Sequence, residues 1–177
     1  MKTIVTSLIF MLTCPLVHAQ DLAQVNREQL KALRYFAGNW KGEATIQQRG
    51  GPPMKVLQEE RIEWRLDSLV LTIEGTGRDP VTQKKVFQAF AVVAYNPQTQ
   101  QLGMKSFTLE GRQTEAYFKV VEENKFEWGF DLPNGKAKIK YTITLSPQSK
   151  SWYEKGEYSP DGAAWFPTIQ MNLTKQN

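Results

Sequence analysis

Glu60 is the residue in this sequence best placed to do chemistry, because alternation puts its carboxyl on the same side of a strand as Ile62 and Trp64. If Asp67-Ser68 is a two-residue hairpin turn, Leu66 faces Leu69, Trp64 faces Leu71, Ile62 faces Ile73 and Glu60 faces Gly75. Arg65, Glu63, Arg61 and Glu59 then fall together on the opposite side. An inward carboxylate opposite a glycine leaves space beside a polar group, as a ligand site requires. The plainer placement sets Glu60 near the mouth of the fold, solvated or paired with a Lys or Arg. Asn134-Gly135 suits a type I′ turn, which sets Phe130 against Ile139, Trp128 against Tyr141 and Phe126 against Ile143. On the other face Asp131 meets Lys138, a favourable cross-strand pair. Trp64, Trp128 and Tyr141 therefore share one interior, either as core packing or as an apolar pocket with a phenol for orientation.

Other chemistries are harder to build. Met1-Lys2, the apolar run 4–12 and Val17-His18-Ala19 before Gln20 read as a secretory leader cleaved after Ala19. The apolar run is too short for a membrane span, so no stable span is expected after cleavage. The chain's one Cys and one His, Cys14 and His18, leave with the leader. What remains cannot form a disulfide, a thiolate nucleophile, a Ser-His-Asp triad or an imidazole metal site. Neither a metal nor a cofactor is expected. Adjacent carboxylates, Glu59-Glu60 and Glu122-Glu123, do not make a glycosidase pair, since strand neighbours point to opposite faces and the second pair reads as a turn. The formal charge of +4 falls to +3 without Lys2, and acidic residues intersperse the basic ones. That pattern lacks the footprint of nucleic-acid binding.

The elements that must hold these residues are mostly strands. Leu30, Leu33 and Phe36 follow helical spacing within a short helix over 20–37, with Gly38 as its stop and the apolar face plugging one end of the core. Ten runs with strand patterning follow: 40–48, 54–66, 69–78, 86–95, 101–110, 114–121, 125–132, 136–145, 151–158 and 163–174. Turn residues separate most of them, among them Gly50-Gly51-Pro52-Pro53, Asp79-Pro80, Asn96-Pro97 and Ser159-Pro160-Asp161-Gly162. Short links between neighbours mean antiparallel pairing. One-sided apolarity along ten strands predicts an all-β fold, a ten-stranded antiparallel meander curled into a barrel, as one domain over 38–177 after a leader at 1–19 and the helix.

The segment Phe36-Ala37-Gly38-Asn39-Trp40-Lys41-Gly42 places Gly-x-Trp just after a short helix and ahead of the meander. In this it resembles the calycin superfamily of lipocalins and fatty-acid-binding proteins. The resemblance implies that Trp40 caps the barrel floor and that Gly38 permits the tight turn before it. Ala94-Tyr95-Asn96-Pro97-Gln98-Thr99-Gln100-Gln101-Leu102-Gly103, with Glu110-Gly111, is similar to the central hairpin of an uncharacterised family of exported bacterial lipocalin-like proteins. The chain departs from lipocalins in lacking their Thr-Asp-Tyr motif and an arginine in the last strand to stack on Trp40, where Lys175 is the nearest substitute. Trp40-Lys41-Gly42-Glu43-Ala44 also resembles haem-binding nitrobindin-like barrels, which ligate iron through histidine. A chain that has lost His18 has no such ligand.

Carboxylate, phenol, indole and hydrocarbon suit binding better than catalysis. The expectation is an exported, periplasmic or secreted barrel that binds a small, partly apolar ligand at Glu60, Trp64, Gly75, Trp128 and Tyr141 without catalysing a reaction. Two other readings stay open: a filled barrel whose outer surface binds an envelope partner, and an enzyme using Glu60 as general base with Tyr141 or a lysine.

Overall fold

The computed structural model describes residues 16–48, 50–133 and 135–177. The expected leader, Cys14 included, lies outside these residues over its first fifteen positions, as does Asn134 of the expected I′ turn. An α-helix, α1 (Leu16–Leu30), runs into a 3-10 turn at Lys31–Leu33. Ten strands follow: β1 (Gly38–Ile46), β2 (Met54–Arg65), β3 (Val70–Arg78), β4 (Lys85–Asn96), β5 (Gln101–Thr108), β6 (Gln113–Glu122), β7 (Lys125–Asp131), β8 (Lys138–Ser146), β9 (Ser151–Ser159) and β10 (Phe166–Lys175). Each pairs antiparallel with its neighbour in sequence, and β1 pairs with β10 to close the barrel. Closure gives every strand two partners, so no edge is left to template association.

The registers follow from alternation and turn chemistry. Leu66, Asp67 and Ser68 all have positive φ, the backbone hand that a tight hairpin turn needs. Across that turn Trp64 pairs with Leu71, Ile62 with Ile73 and Glu60 with Gly75. On the far side of the barrel Phe126 pairs with Ile143, Trp128 with Tyr141 and Phe130 with Ile139, while Lys138 Nζ lies 2.8 Å from Asp131 Oδ1. Both hairpins have the pairing that the apolar pattern predicts.

The helix differs from expectation. Its α-helical part ends at Leu30, and the chain reaches Phe36 through the 3-10 turn. Gly38 does not stop a helix. It opens β1 with φ near 129°, a conformation that side chains other than glycine's rarely adopt. The last strand also starts later than its apolar pattern suggests. Asp161 accepts hydrogen bonds from the backbone N–H groups of Ala163 and Ala164, holding 161–164 as a loop before β10.

Leu30, Leu33 and Phe36 seal one end of the barrel. Phe36 meets Trp152 with ring centroids 4.6 Å apart, and Trp152 meets Trp40 edge to face at 5.6 Å. Trp40 is fully buried and donates its indole N–H to the Phe36 carbonyl at 2.9 Å. Around this floor lie Ile62, Leu71, Val93, Phe118, Phe126 and Leu173, all buried. Leu22 and Val25, earlier in α1, stay exposed and add nothing to the seal. Among the described residues no helix is long and apolar enough to cross a membrane.

Candidate functional site

Above the floor the interior changes character. On the β3–β6 wall many inward positions are small, Gly75, Gly77, Ala89, Ala91, Ser106, Thr114 and Ala116, with Ile73 and Phe87 the large ones among them. On the β7–β8 wall they are large: Trp128, Phe130, Ile139 and Tyr141. These four, with Ile73, face inward yet remain only partly buried, whereas the floor beneath is sealed. An inward side chain that keeps accessible surface is not fully packed over, so the upper interior is less closely covered than the floor.

Two carboxyls lie in this interior. Glu60 points inward from β2, paired with Trp40 on one side and Gly75 on the other. It is 9% exposed, and Gln58 Nε2 donates to its Oε1 at 2.7 Å. The space opposite Gly75 is not empty as the alternation suggests. A Cβ at Gly75 would stand 2.7 and 2.8 Å from the two Glu60 oxygens, so the carboxyl itself lies across the glycine backbone. Gly75 is therefore a cradle for Glu60.

The second carboxyl is Glu154 of β9, paired with Ile143 and Met171. Its Oε1 accepts from Trp128 Nε1 at 3.1 Å and its Oε2 from Trp152 Nε1 at 3.2 Å. Strands β1 and β10, which form the closing seam, separate it from Glu60. The inward residues there include Gly42 and Ala44, small enough for the two acids to sense one another. Burial pushes Glu60 up to about 8 against the lowering effect of Gln58, and the Glu154 charge adds to the rise. Burial likewise pushes Glu154 up to about 7, with the two indole N–H groups pulling the other way. Neither acid takes part in a described ion pair.

Tyr141 stacks on Trp128 with centroids 3.8 Å apart and planes within 5°, an arrangement that fixes the indole aimed at Glu154. Gly156 pairs with Tyr141, and a Cβ there would come within 2.6 Å of the phenol ring. Burial and the Glu154 charge push the Tyr141 hydroxyl up to about 12, so it stays protonated and able to donate. Glu60, Gly75, Trp128 and Tyr141 thus all face the barrel interior. Trp64 is inward by register, one pair from the β2–β3 turn and at the floor. Trp152 belongs to the floor, while Trp165 sits under Lys140, whose Nζ is 4.2 Å from its ring centroid. Glu59 points outward and pairs with Lys41 at 2.9 Å. Among the described residues no three His, Cys, Asp or Glu side chains converge on a metal site.

Glu154 was legible but not singled out. Pairing the strands across the 146–151 link sets Leu145 opposite Trp152, Ile143 opposite Glu154 and Tyr141 opposite Gly156, which marks it as the one acid on an apolar face. Gln58 could be found the same way, two residues from Glu60.

No protein-family model matches the chain, and no curated protein matches it in sequence. Solved structures do match its fold. The crystal structure of Rv2717c from M. tuberculosis superposes with a TM-score of 0.58 at 13% identity, covering 83% of this chain and 98% of that one. The S-type phycobiliprotein lyase CPES from Guillardia theta superposes at 0.56 with 10% identity, covering 89% and 97%. The likeness is one of fold, a closed, lipocalin-like antiparallel barrel. At the barrel floor Lys175 stands beside Trp40, where the resemblance to lipocalins leads one to expect an arginine. Its Nζ lies 4.2 Å from the Tyr35 ring centroid and 5.1 Å from that of Trp40, and it donates to the Tyr35 carbonyl at 2.6 Å. The ammonium is a compact substitute for the planar guanidinium.

Proposed function

We propose that the barrel binds a small, partly apolar ligand in its lumen and does so without catalysing a reaction. The observation that carries this reading is the contrast between a sealed floor and an upper interior whose inward aromatics keep accessible surface beside two buried carboxyls. The partly open Trp128, Phe130 and Tyr141 favour this reading over a solid interaction protein. Export with cleavage after Ala19 belongs to the same proposal. It would place the carrier in the periplasm or outside the cell, and the intact mass of protein from its own host would test the cleavage site.

Native mass spectrometry of that protein tests the binding. The wild type should retain a co-purifying mass, and Ala89→Phe, which projects a ring into the upper lumen, should not. Equal retention by both, or no retained mass and no uptake of any added apolar probe, would end the proposal.

A second reading has support of its own. Two acids with raised pKa values share one interior, the pattern of a general acid–base pair, and one fold neighbour is described as a lyase. On that reading Glu60 is the base, and Glu60→Gln should abolish any turnover found. Unchanged turnover would dispose of it.

A further inference from the structure

The lumen holds two acids and no described cation to meet them, which bears on the charge of what enters. Every polar group around the carboxyls donates: Gln58 Nε2 to Glu60, Trp128 Nε1 and Trp152 Nε1 to Glu154. These bonds orient the carboxyls as acceptors but bring no positive charge. Glu60 is nine-tenths buried on the inner face of β2 with its carboxyl lying over Gly75, and its Oε2 accepts no hydrogen bond from any described residue. Trp128 and Tyr141 stack face to face beside these acids and supply apolar surface to the same interior.

We infer that the ligand is an organic cation, an alkyl or aryl ammonium whose charged head lies between Glu60 and Glu154 and whose apolar body lies against Trp128, Phe130 and Tyr141. This rests on the lumen-binding reading and narrows it to one chemical class. The protein supplies the hydrogen-bond donors that hold two carboxylates in place, and the ligand supplies the charge that neutralises them. The groups facing Glu60 are Gln58 on its own strand, Trp40 and Gly75 on the flanking strands, and Glu154 from across the seam. None of them is basic, so binding a cation must draw a proton off the pair.

Three probes of one length and different heads test this: octylammonium, octanol and octanoate, titrated into the full protein by calorimetry at pH 6 and pH 8.5. Octylammonium should bind at least tenfold more tightly than octanol, with octanoate weakest. Its affinity should rise on the order of tenfold between the two pH values, with proton release visible as a dependence on buffer ionisation heat. Glu60→Gln and Glu154→Gln, each close in shape to the wild type, should remove the preference for ammonium while leaving octanol binding in place. Octanol or octanoate binding as tightly as octylammonium would overturn the cation assignment and leave the binding lumen standing. Failure of all three probes to bind the wild type would overturn the lumen reading along with it.

Discussion

Burial of Glu60 without a cation makes the native state sensitive to pH in an unusual direction. An unfolded glutamate titrates near 4.5 and the native one near 8, so between these values the folded chain holds a proton that the unfolded chain has lost. Stability therefore falls as pH rises through that window, and Glu154 adds to the slope up to about 7. Glu60→Gln removes the titration and keeps the shape. Denaturant unfolding should show the variant near parity with wild type at pH 4, and more stable on the order of a few kcal/mol at pH 8.5. The cradle can be tested separately. Gly75→Ala places a Cβ at 2.7 Å from Glu60 Oε1, forcing the carboxyl off the β3 backbone and toward the lumen. Its titration midpoint, followed by carbon NMR of the side-chain carboxyl, should drop by about a unit or more as it gains solvent.

Single hairpins were readable because their physics is local. The pairings around Asp67-Ser68 and across the β7–β8 link are set by alternation and turn length, and a one-residue slip would turn Trp64, Ile62, Trp128 and Tyr141 outward. The β2–β3 turn still carries strain that its sequence does not relieve, since Asp67 and Ser68 sit at φ 54° and 65° without a glycine. Ser68→Gly should raise stability by about 0.5–1 kcal/mol, read as a higher urea midpoint at unchanged slope. The N-terminal helix was less readable. Its apolar spacing runs on to Phe36, but whether those residues wind as α or 3-10 depends on the floor that they must reach, and Leu33 and Phe36 are placed by contact with Trp40, Trp152 and Phe126.

At the scale of the molecule, the floor and the lumen have separate supports. The residues that seal the floor, Leu30, Leu33 and Phe36, all follow Ala19, so a leader cleaved there would take none of them. A chain beginning at Gln20 should melt within about 3 °C of the full chain, a difference under about 1 kcal/mol. A chain beginning at Lys31 loses buried Leu30 and the Arg27–Asp67 ion pair, and should lose about 2–4 kcal/mol, mostly from the leucine. Thermal unfolding of the two truncations would separate these outcomes.

The sequence by itself determined the class of fold, the local registers, the inward direction of Glu60 and its pairing with Gly75. Each of these follows from side-chain period and turn geometry, which act over a few residues. Tertiary structure alone decided that Glu154 shares the interior with Glu60, because that meeting depends on β1 pairing with β10 and on small residues along the seam. It also decided that the space beside Gly75 is filled by the Glu60 carboxyl, since alternation assigns a face to a side chain but not the direction in which its end lies. Closure of the ring brought two acids, each legible on its own strand, into one buried pair with no described ion-pair partner.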